Sequence, residues 1–177
     1  MIKRGWLIRD KSGQFYLVSA IIVAAIVMSI VVVTNYSKKQ EYSDLDSLKD
    51  EIQIEAANVL DYSINNSETD SAINSRMQDF AQDYISLESR DKDLYFIFGS
   101  RDNITVKGYQ KTNHIIYLDT TLITSSSEEF IGSINPGGNS INFKIDNDSH
   151  TFALNDGQNF YLVLSRDIEG GNYVVTG

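Results

Sequence analysis

Residues 13–36 read GQFYLVSAIIVAAIVMSIVVVTNY, and the 19 residues from Phe15 to Val33 carry no charged side chain. An α-helix of that length spans roughly 28 Å, close to the thickness of the hydrocarbon core of a bilayer. Inside a bilayer the backbone must satisfy its own hydrogen bonds, so a helix forms there despite many β-branched residues. We therefore predict a transmembrane helix over residues 14–36. Its candidate membrane or assembly side chains include Phe15, Ile22, Ile26, Ile30 and Val33.

The same segment is predicted to stay with the protein rather than be removed as a secretory signal. A cleaved signal has a shorter apolar region followed by a small-residue site, whereas this run ends in VVVTNY. Four basic residues precede it, and Lys38 and Lys39 follow it. This bias favours a cytoplasmic N-terminus and an extracellular body. Four Asn-x-Ser/Thr triplets, at Asn35, Asn65, Asn103 and Asn147, agree with an exterior body, and the candidate glycosylation sites are Asn65, Asn103 and Asn147.

The charge of the chain is divided unevenly along its length. Residues 1–39 contain six basic side chains and one acidic one, a net +5, while residues 40–177 contain nine basic and 23 acidic ones, a net −14. An acidic body repels nucleic acid phosphates, so we expect no nucleic-acid partner. There is no cysteine in the 177 residues. The body must therefore be held together by packing, without disulfides.

Two amphipathic helices are predicted after the apolar run. Apolar residues recur at the three-and-four spacing of a helix in residues 37–64, which we expect to extend or follow the membrane helix as a stalk. The members are Leu45, Leu48, Ile52, Ala56, Val59 and Leu60. INNSETD, residues 64–70, is a break in which Ser67 or Thr69 is a candidate N-cap. A second helix then places Ile73, Met77, Phe80 and Tyr84 on one face, as core residues.

From residue 93 the pattern indicates seven or eight short strands. LYFIFGS and NITVKGYQ flank a turn at residues 100–102, and HTFAL and NFYLVLS flank Asn155-Asp156-Gly157, which predicts a hairpin with positive φ at its turn. The predicted fold class is α+β, with an antiparallel β-sandwich or rolled sheet. The predicted organisation is a basic cytoplasmic leader at 1–13, the transmembrane helix, the helical extension, and an extracellular α+β domain at 65–177 whose β-rich part is 93–177.

The inventory of reactive side chains argues against an enzyme. The only histidines are His114 and His150, which we interpret as surface or strand-edge residues, and there is no Walker loop, Gly-x-Gly-x-x-Gly or His-Glu-x-x-His. Asp146-Asn147-Asp148 has oxygen ligands suited to calcium but lacks the EF-hand spacing, so we interpret it as a turn. We therefore predict no catalytic residues, no cofactor and no metal site.

The N-terminal region also resembles a known class of signals. A short basic stretch, Gly13, Gln14-Phe15 and an unbroken apolar helix are similar to the class III signal of archaeal type IV pilins and related archaellum components. The resemblance covers about residues 1–36. It implies that a prepilin peptidase cuts between Gly13 and Gln14 on the cytoplasmic side and that the apolar helix remains in the mature protein. An uncleaved anchor of similar layout stays open.

Two functions are therefore expected from the sequence. The first is a structural surface protein, a pilin-like subunit or minor component of a type IV pilus or archaellum-type filament, with membrane lipid and other copies of itself as partners. The alternative is a single-pass binding module whose extracellular β-domain contacts the cell-surface layer or another envelope protein.

Overall fold

The computed structural model describes the backbone of residues 11–89, 91–124, 128–168 and 171–177, and within these ranges the side chains of 11–15, 34–42, 168 and 171–172 are not described. The chain divides into two compact units, residues 1–43 and 44–177. The described elements are α1 (Lys11–Asn65), α2 (Asp70–Glu88), β1 (Asp93–Ser100), β2 (Asn103–Gln110), β3 (Ile116–Leu118), β4 (Thr121–Thr124), β5 (Glu128–Ile134), β6 (Ser140–Ile145), β7 (Asp148–Ala153), β8 (Gln158–Ile168) and β9 (Gly171–Thr176).

The predicted α+β class is confirmed. The apolar helix comes first, and two antiparallel sheets follow the helices. One sheet has five strands in the order β5-β2-β1-β8-β9, and the other has four in the order β4-β3-β6-β7. The described strand pairs within both sheets are antiparallel.

α1 runs without interruption through the apolar segment and the predicted amphipathic extension. The apolar residues that recur at three-and-four spacing in the extension are the ones that are buried, because this spacing places them on one face of the helix. Leu45, Ile52 and Ala56 are fully buried, and Leu48, Val59 and Leu60 are partly buried against the same cluster. The predicted second helix is also present. Its N-cap is Thr69, whose side chain accepts a hydrogen bond from the Ala72 N–H at 3.3 Å.

Both helices of the second unit pack on one face of the five-stranded sheet. The alternating side chains of β1 and β8 explain this, because Leu94, Phe96 and Phe98 point to the helices together with Leu162 and Leu164. Phe80 of α2 makes an edge-on contact with Phe96, with ring centroids 6.2 Å apart. The Tyr84 hydroxyl donates to the Glu55 carboxylate at 2.8 Å and so joins α2 to α1.

The opposite face of the five-stranded sheet shares a second buried cluster with the four-stranded sheet. Tyr95, Ile97 and Val106 come from the first sheet, and Ile116, Ile141 and Phe143 come from the second. The rings of Tyr95 and Phe143 have centroids 5.3 Å apart. The two apolar clusters therefore lie on opposite faces of one central sheet.

One predicted hairpin is present and another is wrong. β1 and β2 pair around the turn at residues 100–102, as predicted. β7 and β8 do not pair: β7 pairs with β6 in the four-stranded sheet, and β8 pairs with β1 in the five-stranded one. Gly157 does have the positive φ that the Asp-Gly pair predicts, +95°. That turn therefore connects two sheets instead of closing a hairpin.

Candidate functional site

The apolar part of α1 is exposed around its whole circumference within its own unit. The large apolar side chains from Tyr16 to Val33 are 51% to 73% exposed, and Ile22, Ile26, Ile30 and Val33 are all among them. A helix that is apolar on every side is stable only when apolar surroundings cover it. This segment is therefore the first candidate site of the molecule, as a surface that lipid or other protein must cover.

One helix of the described residues, Tyr16–Val33, is long and apolar enough to cross a membrane by length and composition. This agrees with the sequence prediction that one helix near the N-terminus can span a membrane. The Ser29 hydroxyl within it donates to the Ala25 carbonyl at 2.8 Å. Such a bond satisfies the hydroxyl inside an apolar medium.

The predicted processing residues lie at the start of the same helix. Gly13 and Gln14 are helical in their backbone, and the side chains of Gln14 and Phe15 lie outside the described residues. Cleavage between Gly13 and Gln14 stays a prediction.

The predicted glycosylation sites are spread over the second unit. Asn65 ends α1, Asn103 begins β2 and Asn147 lies in the turn between β6 and β7, and all three are exposed. The side chain of Asn35 lies outside the described residues. Exposure permits modification of the three described sites, which stay predictions.

A second candidate site is a surface cavity of about 430 Å³ at the end of the second unit where β1 begins. It is lined by acidic, basic and hydroxyl side chains: Asp91, Asp93, Lys111, Thr112, His114, Ser165, Arg166 and Asp167. Arg166 forms an ion pair with Asp91, with Nη2 and Oδ2 2.5 Å apart.

His114 lies at the centre of the contacts beside this cavity. Its Nδ1 is 2.7 Å from Asp146 Oδ2, and its Nε2 is 2.5 Å from the Thr112 hydroxyl and 3.6 Å from Asp93 Oδ2. The sequence interpretation of His114 as a surface or strand-edge residue missed these partners. Asp93 and Asp146 lie 21 and 32 positions away along the chain, so no local motif connects them to His114.

Asp146 contacts one ring nitrogen of His114, and the Thr112 hydroxyl contacts the other. These contacts resemble those of a hydrolase triad, in which an acid orients a base that contacts a hydroxyl. Acyl transfer also needs free donors for the developing oxyanion. The two backbone N–H groups that flank this segment are engaged, since Lys111 donates to Asp93 at 2.7 Å and Ile115 donates to Asp146 at 2.8 Å. Neither of these two N–H groups is therefore free to serve as such a donor. In the part of the chain that the structure describes, no group of three or more acidic or histidine side chains is placed to hold a metal ion.

The two carboxylates around His114 have pKa values that are shifted in opposite directions. Burial raises the pKa of Asp93 above its ordinary value, against the lowering effects of the Lys111 N–H and of His114. Asp146 is more exposed, and the hydrogen bond from the Ile115 N–H is the largest cause that holds its pKa below the ordinary value. Burial also raises the pKa of the nearby Tyr95 hydroxyl.

The raised pKa of Asp93 leads to a prediction for Asp93→Asn. A group with a raised folded-state pKa contributes stability below its unfolded pKa and loses that contribution as the pH rises through the folded pKa. The ionised, buried Asp93 is therefore destabilising at pH 8, and asparagine keeps an oxygen that accepts from Lys111. We expect thermal unfolding of the variant at pH 8 to occur roughly 2–4 °C above wild type.

The control for Asp93→Asn is the same comparison at pH 3, where Asp93 is largely protonated and the difference should nearly vanish. A variant that melts below wild type at pH 8 would contradict the assignment of burial as the dominant cause.

Comparison with protein-family models, with curated proteins and with solved structures gives no match for this chain.

Proposed function

We propose that this protein is a pilin-like structural surface protein, whose apolar helix holds it in the membrane and then packs among other copies in a filament. One observation carries the proposal. The single helix α1 joins a segment that is apolar on all sides to an amphipathic segment whose apolar face is buried in a separately packed α+β body.

The two parts of α1 have different partners, and this supports an assembly role. Between Leu45 and Ala56 the buried face is already covered by α2 and the sheet. Between Tyr16 and Val33 the described side chains are largely exposed within their own unit. Burying a Val or Ile side chain stabilises by roughly 1.5–3 kcal/mol, so a dozen or so such residues cannot stay in water. Lipid covers them in the membrane, and other copies of the helix cover them outside it.

The proposed topology places residues 1–13 in the cytoplasm and the body outside the cell. The basic N-terminal flank supports this orientation. The exposure of Asn65, Asn103 and Asn147 is compatible with modification there. A prepilin peptidase acting at Gly13-Gln14 is a partner implied only by the resemblance of the N-terminal region.

We also interpret the two sheets of the body as the layers of a β-sandwich. The support is the buried cluster to which Tyr95 and Ile97 contribute from one sheet and Ile141 and Phe143 from the other. A sandwich held by packing alone suits an extracellular domain without cysteine.

The test is the double substitution Ile22→Ala with Ile26→Ala. In a bilayer the altered segment stays apolar and long enough to span, so an anchor tolerates the change. In a tightly packed filament core each substitution leaves a cavity that costs about 2–5 kcal/mol. We expect the variant to remain in the membrane fraction and to be depleted at least tenfold from sheared extracellular material.

The matched control is Ile54→Ala with Leu87→Ala, because both side chains are exposed on the body, at 64% and 70%. This control should appear in the sheared fraction as wild type does. Equal amounts of the Ile22/Ile26 variant and wild type in that fraction contradict a packed core. Wild type that is confined to the membrane fraction supports the alternative, a single-pass binding module.

A further inference from the structure

The cavity of about 430 Å³ at the start of β1 has no part in the proposed function. Its walls come from the start of β1, the end of β8 and the connection from β2 to β3. Asp93 is the first residue of β1 and lies opposite Ser165 of β8. Strand pairing in the central sheet therefore holds the backbone of Asp93 at the cavity wall, and the volume is in the range of small-molecule sites.

The two carboxylate oxygens of Asp93 have different surroundings. Oδ1 accepts from the Lys111 N–H at 2.7 Å. Among the described residues no donor forms a hydrogen bond with Oδ2, and His114 Nε2 is 3.6 Å away from it. The Asp93 side chain is only 9% exposed. A buried, ionised oxygen is costly unless a donor meets it, so Oδ2 is the atom of this wall that a ligand can satisfy.

Neutral His114 does not supply that donor. The ionised Asp146 only accepts, so the Nδ1 atom of the ring, at 2.7 Å, donates to it. Nε2 of the neutral ring then carries a lone pair, and the Thr112 hydroxyl at 2.5 Å donates to this nitrogen. The ring therefore turns an acceptor toward Asp93.

The permanent cations that line the cavity do not contact Asp93 either. Arg166 is engaged by Asp91, with Nη2 and Oδ2 2.5 Å apart. Lys111 attracts Asp93 through space, but among the described residues no ion pair joins its ammonium to that carboxylate. Asp93 therefore has an ionised oxygen at the cavity wall with no permanent cation in contact with it.

These contacts favour a primary ammonium over other charged ligands. A guanidinium binds a carboxylate best through both oxygens, and Oδ1 is already engaged. A calcium ion needs six or more oxygen ligands, and the described residues offer no group of three acidic or histidine side chains placed for a metal ion. An anion would be repelled by the buried charge of Asp93. An ammonium is a compact charge with three donors, and one free oxygen is enough to orient it.

We propose that this cavity binds a small molecule through a primary ammonium group, with Asp93 Oδ2 as its charged acceptor. The bound ammonium pairs a buried charge that is otherwise unpaired, so the ligand stabilises the folded body by mass action. This site belongs to the body alone and does not depend on filament formation.

The test is a titration of the full chain, in micelles of an uncharged detergent, with propylammonium at pH 8 and constant ionic strength. Binding is followed by NMR of ¹⁵N-labelled histidine. His114 is beside the cavity, and His150 does not line it and is the internal control, whose signals His150→Gln assigns. We expect saturable shifts of the His114 ring signals and none of the His150 signals.

Two probes of the same chain length test the choice of ligand. Propylguanidinium and propionate should each bind at least about tenfold more weakly than propylammonium, because the first lacks a second free oxygen and the second has the wrong charge.

Asp93→Asn tests the acceptor, because asparagine still accepts from the Lys111 N–H but carries no charge. We expect this variant to bind propylammonium at least about tenfold more weakly than wild type. We also expect it to lose the rise in melting temperature that propylammonium gives the wild type. The matched control is Asp156→Asn, which removes a carboxylate that is 94% exposed and should keep the wild-type affinity.

His114 signals in the wild type that do not respond to propylammonium overturn the proposal. Equal affinities of wild type and Asp93→Asn also overturn it, as does propionate or propylguanidinium that binds as tightly as propylammonium.

Discussion

Substituting Ile22 and Ile26 together by aspartate should remove the protein from the membrane fraction. Both positions lie near the middle of the apolar helix and are more than half exposed within their unit. On insertion scales, replacing isoleucine by aspartate at the centre of a spanning helix costs about 3–4 kcal/mol, so two replacements cost about 6–8 kcal/mol. The measurement is the share of the protein that stays with sedimented membranes after a carbonate wash, which should fall by at least tenfold.

Two matched variants accompany the double aspartate. Ile22→Ala with Ile26→Ala should stay in the membrane, because the segment remains apolar. Ile54→Asp with Leu87→Asp introduces the same charges on exposed positions of the body and should also stay there. Full retention of the Ile22/Ile26 aspartate variant would show that this helix is not the membrane attachment of the protein.

The second large effect concerns where the body begins. A chain that starts at Asp44 keeps Leu45, Ile52 and Ala56, which are fully buried against α2 and the central sheet. A chain that starts at residue 66 loses all three and exposes the apolar side chains that they cover. At roughly 1.5–3 kcal/mol for each large side chain, with cavity costs added, the loss approaches the whole stability of an ordinary domain.

We therefore expect residues 44–177 to be soluble and to unfold in one cooperative transition by circular dichroism. Residues 66–177 should aggregate or lack a transition. Ile52→Ala in the longer chain is the graded control, and it should cost about 2–5 kcal/mol while the fold persists. Equal melting temperatures for the two chains would mean that α1 is not part of the core.

Periodicity predicted the helical half of this fold well, because helix burial is a local property of the sequence. The spacing from Leu45 to Leu60 placed the buried face of α1, and the spacing from Ile73 to Tyr84 placed that of α2. The Thr69 N-cap was also among the predicted candidates. Each of these features depends on residues within four positions of one another.

Strand pairing was predicted less well, because the partner of a strand is not a local property. The alternation of apolar and polar residues predicted strands on both sides of Gly157, and the positive φ of Gly157 agrees with the predicted turn. The chain nevertheless crosses between sheets there, since β8 pairs with β1, more than fifty positions earlier. A turn residue specifies the bend of the backbone but not which strand lies beside the next one.

The His114 cluster was beyond sequence reasoning for the same reason. Asp93, His114 and Asp146 belong to a strand start, a connection and a turn, and only the topology of two sheets brings them together. The apolar helix could be predicted from the sequence alone, because its candidate role depends on 19 consecutive residues.

Immunogold electron microscopy of whole cells, with antibodies against residues 44–177, tests the filament proposal most directly. A filament subunit should place gold label along extracellular filaments, at regular density and at distances from the cell far beyond the size of one body. Label that is confined to the cell envelope, on cells whose filaments are visible and unlabelled, would contradict the filament proposal.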